Sequence, residues 1–125
     1  MAGIRGKDTQ PELNLRRALH ALGLRYRLHA KDLPGSPDLV FPQYRAAVFV
    51  HGCFWHRHEG CKYATLPATR SEFWQAKFDK NVARDKRDGD ALVGSGWRVA
   101  IAWECDLKPA KIAESANRIA EWLRA

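Results

Sequence analysis

The 125-residue chain is 46% hydrophobic and 28% charged, a balance typical of a single globular domain (1–125) and not of a disordered chain. Lysine and arginine outnumber aspartate and glutamate by 21 to 14, and the net charge of +7 favours a polyanionic partner such as nucleic acid. The sequence contains neither a membrane-length apolar run nor a signal-peptide core in MAGIRGKDTQ, so we expect a cytoplasmic protein whose three cysteines favour metal over disulfides.

The first half of the chain predicts one helix followed by three strands. TQPE (9–12) is typical of a capping box with a proline in the first turn, and apolar residues recur at helical spacing until Gly23 ends the run. Strands are expected at 25–29, 38–41 and 45–50. The last of these reads RAAVFV, which indicates a strand buried on both faces.

The second half predicts a helix, a strand and a final helix. TRSE (69–72) is a second capping box and opens a helix through about residue 93, with Gly89 as a candidate interruption. WRVAIAW (97–103) indicates another buried strand, and a helix follows Pro109. The order α-β-β-β-α-β-α predicts an α/β domain with a mixed central sheet flanked by helices.

Three cysteines and a histidine have spacing that suits a metal site. Cys53, His58 and Cys61 form the pattern C-x4-H-x2-C, and Cys105 ends the last predicted strand. Together they would complete a closed tetrahedral zinc site. His56 could replace His58 in this set, and the alternative to a metal is three reduced, partly buried thiols.

A second set of polar residues lies at the ends of predicted strands. Asp38 opens one strand and His51 ends the next, a layout found in nucleases whose carboxylate holds Mg²⁺. An acid and a lysine usually stand where this chain has Phe49 and His51, so histidine would carry the proton. The alternatives are a loop-capping Asp38 and a merely hydrogen-bonded His51. Glu12 and Asp85 could orient imidazoles, although a capping box and a helix-surface charge also explain them.

Aromatic and basic residues form a third set. Phe54 and Trp55 lie in the loop, and Trp74 lies early on the second predicted helix, where aromatic wedges flanked by cations would open a duplex. For Trp74, core packing is an equal alternative. The cations of this region are Arg70, Lys77, Lys80, Arg84, Lys86 and Arg87. The tryptophans that we assign to the core are Trp97, Trp103 and Trp122.

Five segments together are highly specific: IRGKDTQPE (4–12), LPGSPDLVF (33–41), VHGCFWHRHEGC (50–61), PATRSEFWQAKFDKNVARDKRD (67–88) and GWRVAIAWEC (96–105). In them the chain resembles the very-short-patch (Vsr) mismatch repair endonucleases over nearly its whole length. The resemblance implies a restriction-endonuclease-like core with an added structural Zn²⁺. It also implies Mg²⁺-dependent nicking of double-stranded DNA beside the thymine of a T:G mismatch that arises from 5-methylcytosine.

The resemblance also implies roles for the polar residues. Asp38 would bind Mg²⁺ together with the main-chain carbonyl of Val50, which replaces the usual threonine. His51 and His56 would be catalytic, with His56 the better candidate for activating water. The acids that hold them would be Glu12, for His56, and Asp85, for His51.

Zinc and DNA contacts follow from the same resemblance. The implied zinc ligands are Cys53, His58, Cys61 and Cys105, which selects His58 over His56. The residues implied to insert beside the mismatch are Phe54, Trp55 and Trp74, and the cations expected on DNA are Arg70, Lys77, Lys80 and Arg84. We expect a monomer that works with further repair factors.

Two further departures from the family pattern accompany Val50. The spacing between His58 and Cys61 is longer by one residue, and IRGKDT begins almost at Met1, so that an amino-terminal arm is expected to be absent or cut away. Two alternative functions therefore stand beside mismatch nicking. One is a Vsr-like nickase directed by sequence or structure, for example in defence against foreign DNA. The other is a zinc-stabilised DNA-binding module without turnover.

Overall fold

The computed structural model describes residues 9–125. The segment 1–8, which holds most of the amino terminus predicted to lack a signal core and the first part of IRGKDTQPE, lies outside these residues. Within 9–125, every helix is too short or too polar to span a membrane.

Helices and strands follow the predicted order α-β-β-β-α-β-α. The helices are α1 (Gln10–Ala21), α2 (Ser71–Gly94) and α3 (Ile112–Arg124). The strands are β1 (Arg27–Leu28), β2 (Leu39–Phe41), β3 (Ala46–His51) and β4 (Arg98–Trp103). Short 3-10 helices follow β2 and β4, at Pro42–Tyr44 and Glu104–Asp106.

The four strands form one mixed sheet in the order β1-β2-β3-β4. β2 is antiparallel to both β1 and β3, whereas β3 and β4 are parallel and are connected through α2. Leu39 lies opposite Val48, and Val50 lies opposite Ala102. The start of β2 therefore lies beside the carboxyl ends of β3 and β4, and polar residues at these three points share one edge of the sheet. The predicted mixed α/β architecture is confirmed.

The main hydrophobic core lies between one face of the sheet and the helices α1 and α3. Its residues are Leu15, Leu19, Leu24, Leu39, Phe41, Ala46, Val48, Ala102, Leu107, Ala116, Ala120 and Leu123. Helix α2 lies on the opposite face, beside β3, with Gly35 between the two elements. A Cβ at Gly35 would lie 2.9 Å from the Cβ of Asp88 on α2 and 3.1 Å from the ring of Phe49 on β3. Gly35 also has a φ of +76°, so glycine is required here on two grounds. This close approach fixes α2 beside β3.

Both predicted capping boxes are wrong. Thr9 precedes α1 but makes no side-chain cap hydrogen bond, and the residue before α2 is Arg70, in the left-handed region with φ 58°. Glu12 therefore has a different partner, which is described below. Gly89 does not interrupt α2.

The predicted strands differ from the observed ones in burial. β3 is only half-buried at Phe49 and Val50, where the strand approaches the sheet edge. β4 was expected to be fully buried, yet Ile101 is 45% exposed, because β4 is an outer strand with one neighbour. A continuous apolar run is compatible with either position, since only the sheet order decides which strand is central.

The three tryptophans assigned to the core are half-buried. Trp122 packs against the main core, as expected. Trp97 instead lies at the surface under the guanidinium of Arg45, 4.9 Å from its ring centre. Trp103 contacts His51 and His58 and so lies between the core and the candidate site.

Candidate functional site

Asp38 precedes β2, and its carboxylate is turned toward β3. Its Oδ2 accepts a hydrogen bond of 2.7 Å from the backbone N–H of Val50, which fixes the carboxylate at the sheet edge. Asp38 is only 9% exposed, and burial raises the pKa of its carboxyl group to about 6, although the Val50 bond opposes this. A carboxylate in such a place is stabilised by a nearby positive charge.

Two histidines stack at the end of β3. The rings of His51 and His56 lie 3.9 Å apart and nearly parallel, at 7°. His56 Nδ1 lies 2.6 Å from Oδ2 of Asp85 on α2. Asp85 therefore pairs with His56 and not with His51, contrary to expectation. The reason is that His51 is the buried member of the stack, whereas the loop after β3 turns His56 back toward α2.

His51 lies deepest in the site. It is 5% exposed, and its Nδ1 is buried without a hydrogen-bond partner among residues 9–125. Burial, with a smaller contribution from His56, lowers the pKa of His51 to about 4. The imidazole is consequently neutral near pH 7 and can donate or accept one hydrogen bond at each nitrogen according to its tautomer.

Glu12 pairs with a histidine that the sequence did not single out. Its side chain is 1% exposed, and its Oε2 lies 2.8 Å from Nε2 of His29 and 3.0 Å from the guanidinium of Arg16. Glu12 was expected to orient His56. His29 is brought to Glu12 by the pairing of its backbone N–H with the carbonyl of Asp38, 3.0 Å away. That pairing depends on the contact between β1 and β2, and no local pattern around His29 signals it.

One cleft of about 1010 Å³ joins these groups. The carboxylates of Glu12, Asp38 and Asp85 and the imidazoles of His51 and His56 all line it. Aromatic side chains, described below, form one end of the lining. The fold thus brings together residues from α1, the start of β2, the end of β3, its following loop and α2.

A separate cluster of sulfur atoms and one imidazole lies next to the cleft. The ligand atoms of Cys53, His58, Cys61 and Cys105 all lie within 4.8 Å of one another. His58 Nδ1 is 3.6 Å from the sulfur of Cys53 and 3.5 Å from that of Cys105. A tetrahedral ion with the usual Zn–S and Zn–N bond lengths separates sulfur from nitrogen by about 3.6 Å, so the donor set fits zinc.

The sulfur cluster and the cleft share a wall. Trp103 stacks on His58, with ring centres 4.2 Å apart at 7°, and presents its edge to His51 at 5.3 Å. Glu104 accepts a 3.0 Å hydrogen bond from the backbone N–H of Cys53. These contacts connect the end of β4 to the loop after β3. The position of the two stacked histidines therefore depends on the folding of the cysteine loop.

Phe54, Trp55 and Trp74 form one aromatic cluster. Phe54 lies 5.1 Å from Trp55 and 6.0 Å from Trp74, and the two tryptophans are 5.6 Å apart. Beneath them, fully buried Phe78 lies 5.0 Å from Phe54. The three upper rings are half-buried. Trp74 thus packs on its neighbours and still reaches the surface, so its burial is compatible with both of the alternatives weighed for it.

Two polar side chains that the sequence did not single out hold the loop of the aromatic cluster in place. Arg57 donates hydrogen bonds to the carbonyls of Phe54, Ala64 and Thr65, and its guanidinium lies 4.0 Å from the ring centre of Phe78. Asn81 on α2 donates a 3.2 Å bond to the carbonyl of Trp55. Several fixed contacts thus restrict the loop before any ligand arrives.

The expected DNA-binding cations lie along one helix. Lys77, Lys80 and Arg84 are exposed on α2, and Arg70 directly precedes it. Arg84 also lines the cleft, next to Asp85. The positive charge is consequently continuous with the site that holds the stacked histidines.

Comparison with known proteins defines the class. The chain is 49% identical over 118 residues to the type II nicking enzyme V.XorIIP of Xanthomonas oryzae pv. oryzae, covering 94% of this chain and 86% of the relative. It is 39% identical over 120 residues to the type II nicking enzyme V.NmeAIP of Neisseria meningitidis serogroup A, covering 95% and 85%. The α/β domain with its polar cleft is therefore a DNA endonuclease.

The family follows from two further matches. The family described as DNA mismatch endonuclease Vsr matches residues 1–62. The DNA mismatch endonuclease Vsr of Escherichia coli K12 is 45% identical over 126 residues, covering 98% of this chain and 80% of the relative. The chain belongs to the Vsr family, as the resemblance in the sequence indicated.

Proposed function

We propose that the protein nicks one strand of double-stranded DNA beside the thymine of a T:G mismatch, with Mg²⁺ in the cleft and Zn²⁺ in the sulfur cluster. The observation that carries this proposal is the convergence of Asp38, the stacked pair His51 and His56, and Asp85 in one cleft that ends at an aromatic cluster. The sheet with its flanking helices is, in this proposal, a restriction-endonuclease-like core. Residues 1–125 form one domain that acts as a monomer in the cytoplasm, together with further repair factors.

Asp38 and the carbonyl of Val50 would hold Mg²⁺. Oxygen donors suit this hard cation, and Asp38 is a buried carboxylate that positive charge would stabilise. The N–H and C=O of one strand residue point to the same neighbouring strand, so the Val50 carbonyl faces the side from which its N–H reaches Asp38. The loss of the usual threonine hydroxyl leaves this carbonyl in place. Bound Mg²⁺ would polarise the scissile phosphate and lower the pKa of a coordinated water.

His56 is the general base of the proposal. Asp85 accepts a hydrogen bond from the Nδ1–H of His56, which leaves the Nε2 lone pair free to take a proton from water. The same carboxylate stabilises the positive charge that forms on the ring. Both side chains are about one-fifth exposed, so water can reach them.

In the proposal, the neutral imidazole of His51 forms a hydrogen bond that positions the phosphate. Its burial keeps the ring uncharged near pH 7, so His51 serves as a hydrogen-bond partner of phosphate or water and not as a fixed cation. The stack on His56 restricts the rotation of both rings. Such restriction lowers the entropy cost of aligning the base with its water.

Phe54, Trp55 and Trp74 are proposed to enter the duplex beside the mismatch. Unstacking a base step costs a few kcal/mol, and the cost is lower at a mispair than at a Watson–Crick pair. Phe78 and Arg57 pack behind the rings and already restrict them, so little further side-chain entropy is lost on binding DNA. This difference in unstacking cost is a physical source of mismatch preference.

A strand-nicking assay tests the function. Supercoiled plasmid and matched or T:G oligonucleotides are incubated with Mg²⁺ or with a chelator. We expect a single nick in the strand that carries the mismatched thymine. This nick should form at least about tenfold faster than any nick in matched DNA. Equal nicking of matched DNA would favour a nickase directed by sequence or structure. Binding without any nick would favour the DNA-binding module.

Metal analysis tests the zinc assignment separately. The purified protein should contain about one zinc per chain after dialysis. His58→Ala should lose it, whereas His56→Ala, the matched control on the same loop, should retain it. Loss of zinc in both variants or in neither would contradict the separation of the two sites.

A further inference from the structure

The exposed residues of α2 separate into two faces with different charge. One face, which we call the basic stripe, contains residues spaced four or three apart, as side chains on one side of a helix are. Its members are Phe73, Lys77, Lys80, Arg84 and Arg87. All five are exposed, and none is acidic.

The other exposed face of α2 is acidic on balance, with Glu72, Asp79 and Asp90 against Lys86. Gln75 donates to Asp79, and Lys86 pairs with Asp90, each at 2.9 Å. In the basic stripe, Arg87 pairs with Asp88 at 3.4 Å, whereas no ion pair within residues 9–125 engages Lys77, Lys80 or Arg84. The stripe is thus the side of the helix that offers uncompensated positive charge to a polyanion.

Phe73 begins the basic stripe and is unusual for a water-facing position. It is 44% exposed, although it lies next to the half-buried Trp74, with ring centres 5.5 Å apart. The guanidinium of Arg70 lies 4.5 Å from its ring centre, and the ammonium of Lys77 lies 5.9 Å from it. An exposed ring between two cations offers an apolar surface to a sugar of the DNA backbone and positive charge to the phosphates beside that sugar.

The carboxyl-terminal part of the basic stripe reaches the cleft. Arg84 lines the cleft beside Asp85, and Phe73 lies eleven residues before it on the same helix. At 1.5 Å per residue the two side chains are separated by about 16 Å along the helix axis. One DNA strand advances about 3.4 Å per nucleotide, so this separation corresponds to roughly five nucleotides.

We propose that Phe73 is a DNA contact outside the mismatch. The strand that leaves the cleft follows the basic stripe, and the sugar about five nucleotides from the nick packs against the ring of Phe73, while Arg70 and Lys77 bind the adjacent phosphates. The inference rests on the proposed nicking function. It adds a flank-reading contact to the wedge of Phe54, Trp55 and Trp74.

The test is equilibrium binding of the full chain to T:G duplexes in Mg²⁺-free buffer, alongside the nicking assay. Phe73→Ala should bind roughly tenfold more weakly, and Phe73→Tyr should bind like the unaltered chain. The matched control is Val82→Ala, because Val82 is also 44% exposed but lies on the other, acidic face of α2. Val82→Ala should leave the affinity unchanged.

Salt dependence and flank length sharpen the result. Phe73→Ala should leave the slope of affinity against salt unchanged, because a ring releases no counterions, whereas Lys77→Ala should reduce it by about one. In duplexes trimmed to about three base pairs on one side of the mismatch, Phe73→Ala should lose its effect, and trimming the other side should preserve it.

Three results would overturn the proposal: equal affinity of Phe73→Ala on long duplexes, a penalty that persists whichever flank is trimmed, or an equal penalty from Val82→Ala. Binding is measured apart from turnover. A chain that binds as expected but never nicks would therefore contradict the proposed function and leave the Phe73 contact standing.

Discussion

Two carboxylate–imidazole pairs lie on either side of Asp38, and they differ in access to water. Asp85 and His56 lie 2.6 Å apart with about one-fifth of each side chain exposed. Glu12 and His29 lie 2.8 Å apart, but Glu12 is 1% exposed and is also bound to Arg16. Water can reach both side chains of the open pair, Asp85 and His56. In the buried pair only His29 is accessible, at 18%, and the Glu12 carboxylate connects α1 to the residue that follows β1.

The largest effect should come from Asp38, which lies between the two pairs. Asp38→Asn keeps an oxygen for the Val50 N–H but removes the charge that would hold Mg²⁺. We expect nicking to fall by roughly 10³-fold or more. Single-turnover nicking of the T:G duplex measures it. Substantial nicking by this variant under saturating Mg²⁺ would remove Asp38 from the proposed centre.

The next largest effect should distinguish His56 of the open pair from His29 of the buried pair. His56→Ala removes the general base and should lower the nicking rate by about 10² to 10⁴. His29→Ala, the matched control, should cost less than about tenfold, because His29 pairs with Glu12 and is not part of the stack of His51 and His56. Rates at saturating DNA compare the two, with zinc content as the check on folding. Similar losses in both variants would show that the pairs do not differ in function.

Stability should show the reverse order. Glu12→Gln leaves Arg16 and His29 without their buried carboxylate, so the free energy of unfolding should fall by about 2 to 3 kcal/mol. Asp85→Asn, on the open pair, should change it by less than about 1 kcal/mol. Urea unfolding in the same buffer measures both. An equal loss from Asp85→Asn would contradict the assignment of the buried pair to stability.

The smallest expected effect is an increase in the free energy of unfolding. Burial raises the pKa of Asp38 to about 6 from an ordinary 3.8, so the folded chain without Mg²⁺ binds a proton between these values that the unfolded chain has lost. The free energy of unfolding therefore decreases as pH rises through this window. Asp38→Asn should stabilise the Mg²⁺-free protein by on the order of 1 to 2 kcal/mol above pH 6. Thermal unfolding at pH 8 and pH 5 checks that the gain shrinks with acidity.

Local patterns in the sequence predicted the helices and strands well, because their apolar spacing is a short-range property. The capping boxes failed for the same reason: TQPE (9–12) satisfies the local pattern, but Glu12 reaches a stronger partner in His29, seventeen residues away. β4 was expected to be buried, but the sheet order makes it an outer strand, and Ile101 is exposed. Phe78 and Asn81 were missed because their partners belong to another element, and Arg57 was missed because it binds main-chain carbonyls, which no side-chain pattern marks.

The sequence by itself determined the α/β class, the chemistry of the two candidate sites and, through its motifs, the family. Residue type and spacing are enough for these, because soft sulfur and hard oxygen donors select different metals wherever they meet. Only the tertiary structure decided that Asp85 pairs with His56 and Glu12 with His29, and that the basic stripe begins at Phe73. Hydrogen-bond partners are fixed by the meeting of elements that are distant along the chain, and that meeting is a result of packing, which no local pattern contains.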